Sequence, residues 1–318
     1  MVDATQLAQS KSIHRQTGKT FYYATRLLPE RVRHPTYVLY AFFRVADEVV
    51  DNPNGQTAAE QKTRLNEIRD AALGRQPTDD PVLSAFSEIR ERYGIPDEEI
   101  EVFIDAMLTD IEKSRYESYE ELESYMRGSA AAVGVMMTII METDDPDVAI
   151  PKARRLGEAF QLTNFVRDVG EDIDDRDRIY LPQTTLDDCN AAPEDIEAKR
   201  FTDEVSDAIE TELQRAERLY REGISGIKYL PQDCQLPVLT AAILYADHHR
   251  LIRNRDNDTV TTTPSLGTLR KLALVAKTRW YWVWNKDPEA VFAKVSEIPI
   301  LEEDRAPKSR PGDPLPIG

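Results

Sequence analysis

Asp168 and Asp172 stand four residues apart in the run Asn-Phe-Val-Arg-Asp-Val-Gly-Glu-Asp, within the stretch 161–182. Read as one helix, Asn164, Asp168 and Asp172 fall at i, i+4 and i+8, so three oxygen-bearing side chains share a face. Like charges at that spacing repel, and a cation between them relieves the repulsion. Mg²⁺ suits such a set, because it takes oxygen ligands, keeps several waters and is held by one or two carboxylates plus substrate phosphates. The plainer reading is a solvated acidic helix end in an acidic protein.

A second motif weighs against the plain reading. Residues 36–51 read as a helix that is apolar nearly all round, and so one buried inside a bundle. Arg44, Asp47 and Asp51 interrupt it at i, i+3 and i+7, with Tyr40 one turn earlier. Charges on a buried helix are costly unless paired or coordinating. A salt bridge from Arg44 to Asp47 or Glu48 accounts for part of the pattern and leaves Asp51 unexplained.

If the two Asp-x-x-x-Asp faces oppose each other, they form a four-carboxylate rim. Carboxylate ligation favours Mg²⁺ or Mn²⁺, and without Glu-x-x-His motifs a di-iron site is not expected. A diphosphate bridges such ions, and Arg44, Arg167 and Arg178 are placed to neutralise its oxygens. Below the rim, Phe21, Tyr40, Phe42, Phe43, Phe165 and the small residues of 128–134 are expected to line an apolar cavity. Diphosphate at the mouth with hydrocarbon below is an arrangement for prenyl chemistry. The small residues serve tight helix packing equally well.

The elements that position these residues read as helices throughout, with no sustained period-2 alternation, so the fold class is all-α. Helices are expected over 58–73, 82–93, about 96–113, 118–141, from 152 through the acidic motif, 203–222, 236–256 and 268–284. Loops are expected at 74–81, 143–146, 182–193 and 256–267. Trp280, Trp282 and Trp284 read as core or closing contacts, with a membrane-facing edge as the alternative. Residues 1–299 read as one domain, and 300–318, rich in proline and charge, as a disordered tail.

The net charge is −17, from 57 acidic against 40 basic residues. That balance argues against nucleic acid as a partner and equally against electrostatic docking on anionic lipid. The acidity reads as a surface adapted to high salt. Stability is then expected to rise from low to molar KCl, and a denaturation midpoint that falls over that range would refute the idea. No apolar run approaches the ~20 residues that span a bilayer, and no signal peptide is legible, so a cytoplasmic protein is expected. Cys189 and Cys234 match no disulfide framework or metal spacing. The His248–His249 pair reads as a helix-surface feature.

The sequence resembles the phytoene/squalene synthase family of head-to-head prenyl transferases. The matching features run from about residue 12 to 285. They are Thr-Phe-Tyr-Tyr-Ala, Tyr-Ala-Phe-Phe-Arg-Val-Ala-Asp-Glu-Val-Val-Asp, the segment 125–134, the acidic run above, and Arg-Ile-Tyr-Leu-Pro after it. The wording around Asp172 is closer to the phytoene branch. Gly18 stands where many relatives have serine, and Asp177 where many have glycine.

The resemblance implies a single-domain class I isoprenoid synthase bundle around a central cavity, and condensation of two geranylgeranyl diphosphates to phytoene through prephytoene diphosphate, as in carotenoid biosynthesis. It implies Mg²⁺ held by Asp47, Asp51, Asn164, Asp168 and Asp172. Tyr40, Arg44, Gln161, Asn164, Arg167 and Tyr245 would contact diphosphate or support the metals, and Phe21 and Tyr125 would flank the reacting carbons. The segment 173–178 would act as a lid. The product's transfer to a bilayer implies peripheral membrane contact. The nearest alternative is a squalene or dehydrosqualene synthase using farnesyl diphosphate; the former needs NADPH, which is not expected here without a Gly-x-Gly-x-x-Gly fingerprint. A non-catalytic helical assembly factor with this fold would be expected to lose the aspartates.

Overall fold

The computed structural model describes residues 4–17, 25–52 and 55–298. The expectations for Gly18, Phe21 and the tail 300–318 lie outside the described residues. Among those described there are helices and no strand, with one isolated parallel bridge joining Arg115 to Ile179.

The first half carries α1 (Ala4–Thr17), α2 (Glu30–Asp51), α3 (Ala58–Ala72), α4 (Pro81–Tyr93) and α5 (Asp97–Asp110). Local chemistry sets several ends. Thr57 and Glu60 form a reciprocal capping box at the start of α3. Asp80 caps α4 with Pro81 at its first position, and Gly94 ends it in the left-handed conformation. Helix α2 buries Val32, Tyr37, Val38, Leu39, Ala41, Phe42 and Ala46, and packs on α1, α4 and α5. Phe42 stacks on Phe86 at 3.8 Å between ring centres, away from the second half of the chain.

The stretch expected as one helix over 118–141 is instead α6 (Tyr119–Met126), a π-helical turn at Arg127–Ala131, and α7 (Ala132–Met141). Such turns insert a residue into the hydrogen-bond ladder and often sit at functional sites. Here Arg127 is anchored to α5 by two bonds to the buried Glu99 carboxylate, at 2.8 and 2.9 Å. Then come α8 (Pro146–Arg167), α9 (Val169–Arg176), α10 (Gln183–Asp188), α11 (Pro193–Glu197), α12 (Asp203–Ile224), a 3-10 turn at Ile227–Tyr229, α13 (Gln232–Arg253), α14 (Thr268–Trp284) and α15 (Pro288–Val295).

Helix α8 is the axis of the molecule, packed along α12 and against α7 and α13. Its backbone touches its neighbours. A Cβ added at Gly134 would lie 2.5 Å from the Ala153 carbonyl oxygen, and one at Gly157 would lie 2.6 Å from that of Ala130.

The structure corrects several expectations. Helix α8 starts at Pro146, not 152, because Pro146 takes the first position, where a missing N–H is harmless, and buried Ala149 anchors the first turn. The loop expected over 182–193 contains α10, held by buried Leu186 and by the Thr185 hydroxyl, which donates to Glu212 at 2.7 Å. Helix α15 was not legible, because eight residues are too few to show a period. His248 and His249 are buried, not on the surface. His249 bonds Thr163 and Glu217, and burial holds both imidazoles below their usual pKa, His248 at about 4. Of the three tryptophans only Trp282 is buried. Cys189 and Cys234 are both free thiols. No described helix is long and apolar enough to cross a membrane.

Candidate active site

A cavity of about 510 Å³ runs between α2, α7, α8 and α13. One face of α8 follows it from end to end: Ala149, Ala153, Gly157, Gln161, Asn164 and Arg167, spaced at three or four residues. At 1.5 Å per residue that face is ~27 Å long. Its far end is small and apolar, and its near end is polar. Tyr40, Phe43, Arg44 and Asp47 of α2 line the opposite wall, with Ser129, Ala130, Val133, Gly134 and Met137 from the π-turn and α7, and Tyr245 from α13. Tyr245 stacks flat on Phe160 at 4.5 Å.

The small-residue segment therefore does both of its expected jobs. Gly128 packs against the Val102 backbone, whereas Ser129, Ala130 and Gly134 open onto the cavity. Two aromatic residues expected in the wall are elsewhere. Phe42 faces α4, and Phe165 stacks on Tyr180 at 3.8 Å. The helical period carries Phe42 to the side of α2 opposite Tyr40 and Arg44, and sets Phe165 about 100° round α8 from Asn164, where Tyr180 takes its ring.

At the mouth the two aspartate pairs do face each other. The Arg176 guanidinium spans them, donating to Asp51 at 3.1 Å and to Asp172 at 3.3 Å. Arg44 reaches Asp47 at 3.5 Å, Glu48 at 3.2 Å and Asp51 at 3.7 Å. Arg167 grips Asp168 through two nitrogens, the Nε bond being 2.6 Å. Each carboxylate thus has an arginine beside it.

The helix carrying Asn164, Asp168 and Asp172 is not continuous. It breaks at Asp168, whose backbone (φ −105, ψ 16) leaves the helical region. The cause lies far away in sequence. The loop after α13 inserts here, so that the Gly170 N–H bonds the Thr259 carbonyl at 3.0 Å, and a Cβ at 170 would meet the Val260 carbonyl at 2.1 Å. The Asp172 N–H still reaches the Asp168 carbonyl at 2.8 Å, so the two aspartates stay one turn apart across the bend.

Burial dominates the electrostatics. Asp47 is pushed up to about 7 by desolvation, with Asp51 adding to the effect and Arg44 opposing it. Asp172 is also pushed up to about 7, by burial and then by Asp168. Both lie well above the ordinary ~3.9 of an aspartate, so in the metal-free chain the folded state holds protons that the unfolded state has lost. The stability each contributes is present below about pH 4 and is lost as pH rises through about 7. The two buried histidines act in the opposite direction. The difference in urea midpoint between Asp172→Asn and the parent isolates the carboxylate: it is expected to grow in favour of the variant from about pH 5 to about 7, then level off. A difference independent of pH would contradict the assignment.

Tyr125 and Arg178 do not line the cavity. The Tyr125 hydroxyl donates to Asp110 at 2.7 Å. Arg178 donates to the Asp110 carbonyl and lies 3.8 Å from its carboxylate, with the Tyr180 hydroxyl at 3.3 Å. Around them stand Tyr116, Phe165 and Tyr180. Asp110 is pushed up to about 6, by burial against the opposing Arg178, and its charge is felt by Asp47. Neither Asp110 nor Arg176 stands out in the sequence. Asp110 ends an ordinary amphipathic helix and belongs to no motif, and Arg176 was legible only as one charge in the segment 173–178. Asp177, where the family resemblance expects glycine, has φ 51 at the end of α9 and is held there by Arg115 at 3.0 Å.

Asp47, Asp51, Asn164, Asp168 and Asp172 offer oxygen donors alone, the set a hard divalent cation takes. Among the described residues no three acidic, histidine or cysteine side chains already converge as an ion cage. The donors therefore fit an ion that keeps waters and shares substrate oxygens.

Comparison with known proteins agrees with this geometry. The family described as squalene/phytoene synthase matches residues 14–277. The phytoene synthase of Cereibacter sphaeroides is 35% identical over 270 residues, covering 82% of this chain and 76% of that protein. That of Rhodobacter capsulatus is 33% identical over 285 residues, covering 87% and 81%. Among solved structures, a dehydrosqualene synthase crystallised with a ligand superposes with a TM-score of 0.78 at 27% identity, covering 88% of this chain and 98% of that one. A carboxylate-rimmed apolar cavity in an all-helical bundle, matched along most of its length by these relatives, places the chain in the squalene/phytoene synthase family.

Proposed function

We propose that the chain is a prenyltransferase of the phytoene synthase type, which joins two geranylgeranyl diphosphates head to head. The observation that carries this reading is the pair of opposed aspartate motifs at the mouth of a long cavity whose far end is apolar. The relatives named phytoene synthase support it.

Asp47, Asp51, Asn164, Asp168 and Asp172 would hold Mg²⁺, which when bound supplies positive charge against the diphosphate leaving group. Arg44, Arg167 and Gln161 bind diphosphate oxygens at the mouth, and Tyr40 and Tyr245 close the wall beside them. Loss of the first diphosphate, as its C1–O bond breaks, leaves an allylic cation. The second substrate's double bond attacks that cation, and loss of a proton closes the cyclopropane of prephytoene diphosphate. Ionisation of that intermediate, rearrangement and loss of a second proton give phytoene. Val133, Met137, Leu156 and Phe160 keep water from the cations, which it would convert to alcohols. Tyr125 acts through Asp110 beside the rim. Arg178 serves the same cluster, holding Asp110 in place.

The dehydrosqualene synthase among the structural neighbours favours a second reading, in which farnesyl diphosphate is the substrate. The purified chain, given Mg²⁺ and each radiolabelled diphosphate with and without NADPH, is expected to form phytoene from the C20 substrate without NADPH. Dehydrosqualene or squalene as the main product would overturn the C20 assignment.

A further inference from the structure

Helix α14 is amphipathic in an unusual sense. Its inner face buries Leu274, Thr278 and Trp282. Its outer face is also apolar: Leu269 is 84% exposed, Leu272 61%, Trp280 65%, Val283 66% and Trp284 76%. On the helical period these five residues, with Ala273 and Ala276, form one continuous stripe along the full length of the helix. The other large apolar residues exposed in the described chain, Leu27 and Val148, are each less than half exposed and lie elsewhere. Soluble proteins scatter such residues singly, and a contiguous patch marks a surface that something covers.

Charge identifies the cover. In a chain of net charge −17, α14 contains Arg270, Lys271, Lys277 and Arg279 and no acidic residue. Lys277 borders the stripe on one side and Arg279 on the other. Arg270, next to Lys277, is paired with Asp247 and Glu297 at 2.6 and 2.7 Å and is not one of the lipid-facing bases. Lys286, just past the helix, lies 5.2 Å from the Trp282 ring. An apolar stripe with aromatic residues, flanked by bases, lies flat in the interface of an anionic bilayer, where indole rings sit at headgroup level and bases meet lipid phosphates. A second copy of the chain fits poorly, because a two-fold contact through this stripe would bring its basic flanks against each other. The acidic remainder of the surface is repelled by the same bilayer, so only this face can approach.

We propose that the outer face of α14 docks the protein on anionic lipid, with Trp280 and Trp284 entering the headgroup layer. The inference does not rest on the proposed reaction, since none of these residues lines the cavity.

Flotation of the full chain with phosphatidylcholine vesicles, with and without phosphatidylglycerol, tests it. Binding is expected with phosphatidylglycerol, together with a blue shift of tryptophan emission. Trp280→Gln/Trp284→Gln and, separately, Lys277→Glu/Arg279→Glu are each expected to lower vesicle affinity about tenfold or more. Both variants should keep the parent's circular dichroism and prenyl transfer in detergent. The charge-reversal pair decides the matter should the tryptophan pair misfold. Vesicle binding unchanged in the charge-reversal variant would overturn the proposal. So would a parent chain that ignores phosphatidylglycerol vesicles but forms a dimer that Trp280→Gln/Trp284→Gln dissociates, or one that binds only after residues 299–318 are removed. The last result would identify that segment as the cover.

Discussion

Replacement of Asp168 by asparagine is expected to lower turnover by about 10³-fold, the scale on which a group aimed at transition-state charge contributes, while hardly moving the unfolding midpoint. Asp168 stands at the bend between α8 and α9, on the rim, with Asn164 one turn before it and Asp172 one turn after. Its contact is the Arg167 guanidinium, and the two side chains are 18% and 23% exposed. The pair still reaches solvent and asparagine keeps an acceptor for Arg167, so the expected cost to the fold is about 1 kcal/mol, less than for a fully buried pair. In the proposed reaction the place of Asp168 beside the opposed carboxylates would give it a larger part in charge balance once diphosphate enters. Steady-state product formation and urea unfolding, measured on one preparation, separate the two effects. A variant that keeps a tenth or more of the parent turnover would remove Asp168 from the proposed metal set.

Asp110→Ala should behave in the opposite way, costing roughly 3 kcal/mol of stability. Asp110 is buried, accepts the Tyr125 hydroxyl and faces the buried guanidinium of Arg178. Breaking a buried pair from one side strands the other charge, and that dominates the cost. Arg178 keeps its bond to the Asp110 carbonyl, a backbone group untouched by the substitution, which limits the loss. Asp110→Asn retains an acceptor for Tyr125 and should lose noticeably less stability than the alanine variant. Equal stability of Asp110→Ala and the parent in urea would mean that Arg178 finds enough compensation elsewhere. The comparison with Asp168→Asn is informative in itself. On these expectations Asp168 would serve the reaction with little part in the fold, and Asp110 would hold the fold beneath it.

The helical class, most helix spans and both aspartate motifs were legible in the sequence. They are local matters, set by periods of three and four residues, caps and prolines. Tyr40, Arg44 and Asp47 share a face of α2 by helix geometry alone, and Gln161, Asn164 and Arg167 share a face of α8 in the same way. Which of two apolar faces meets a cavity is not local. Phe42 and Phe43 are adjacent and equally greasy, yet only Phe43 lines the wall, because Phe86 on α4 takes the ring of Phe42.

The bend at Asp168 was likewise invisible, since its cause is the Thr259–Val260 backbone some ninety residues further along the chain. Arg178, expected at the diphosphate, was drawn into the interior by Asp110. Arg176, two residues earlier, closes the gap between Asp51 and Asp172 instead. A charge in a sequence carries no direction; its partner is chosen only when helices distant in the chain pack side by side. Residue type and spacing thus determined which groups could hold a cation and a diphosphate. Tertiary packing decided which of them meet, because burial and opposing charge act through space, not along the chain.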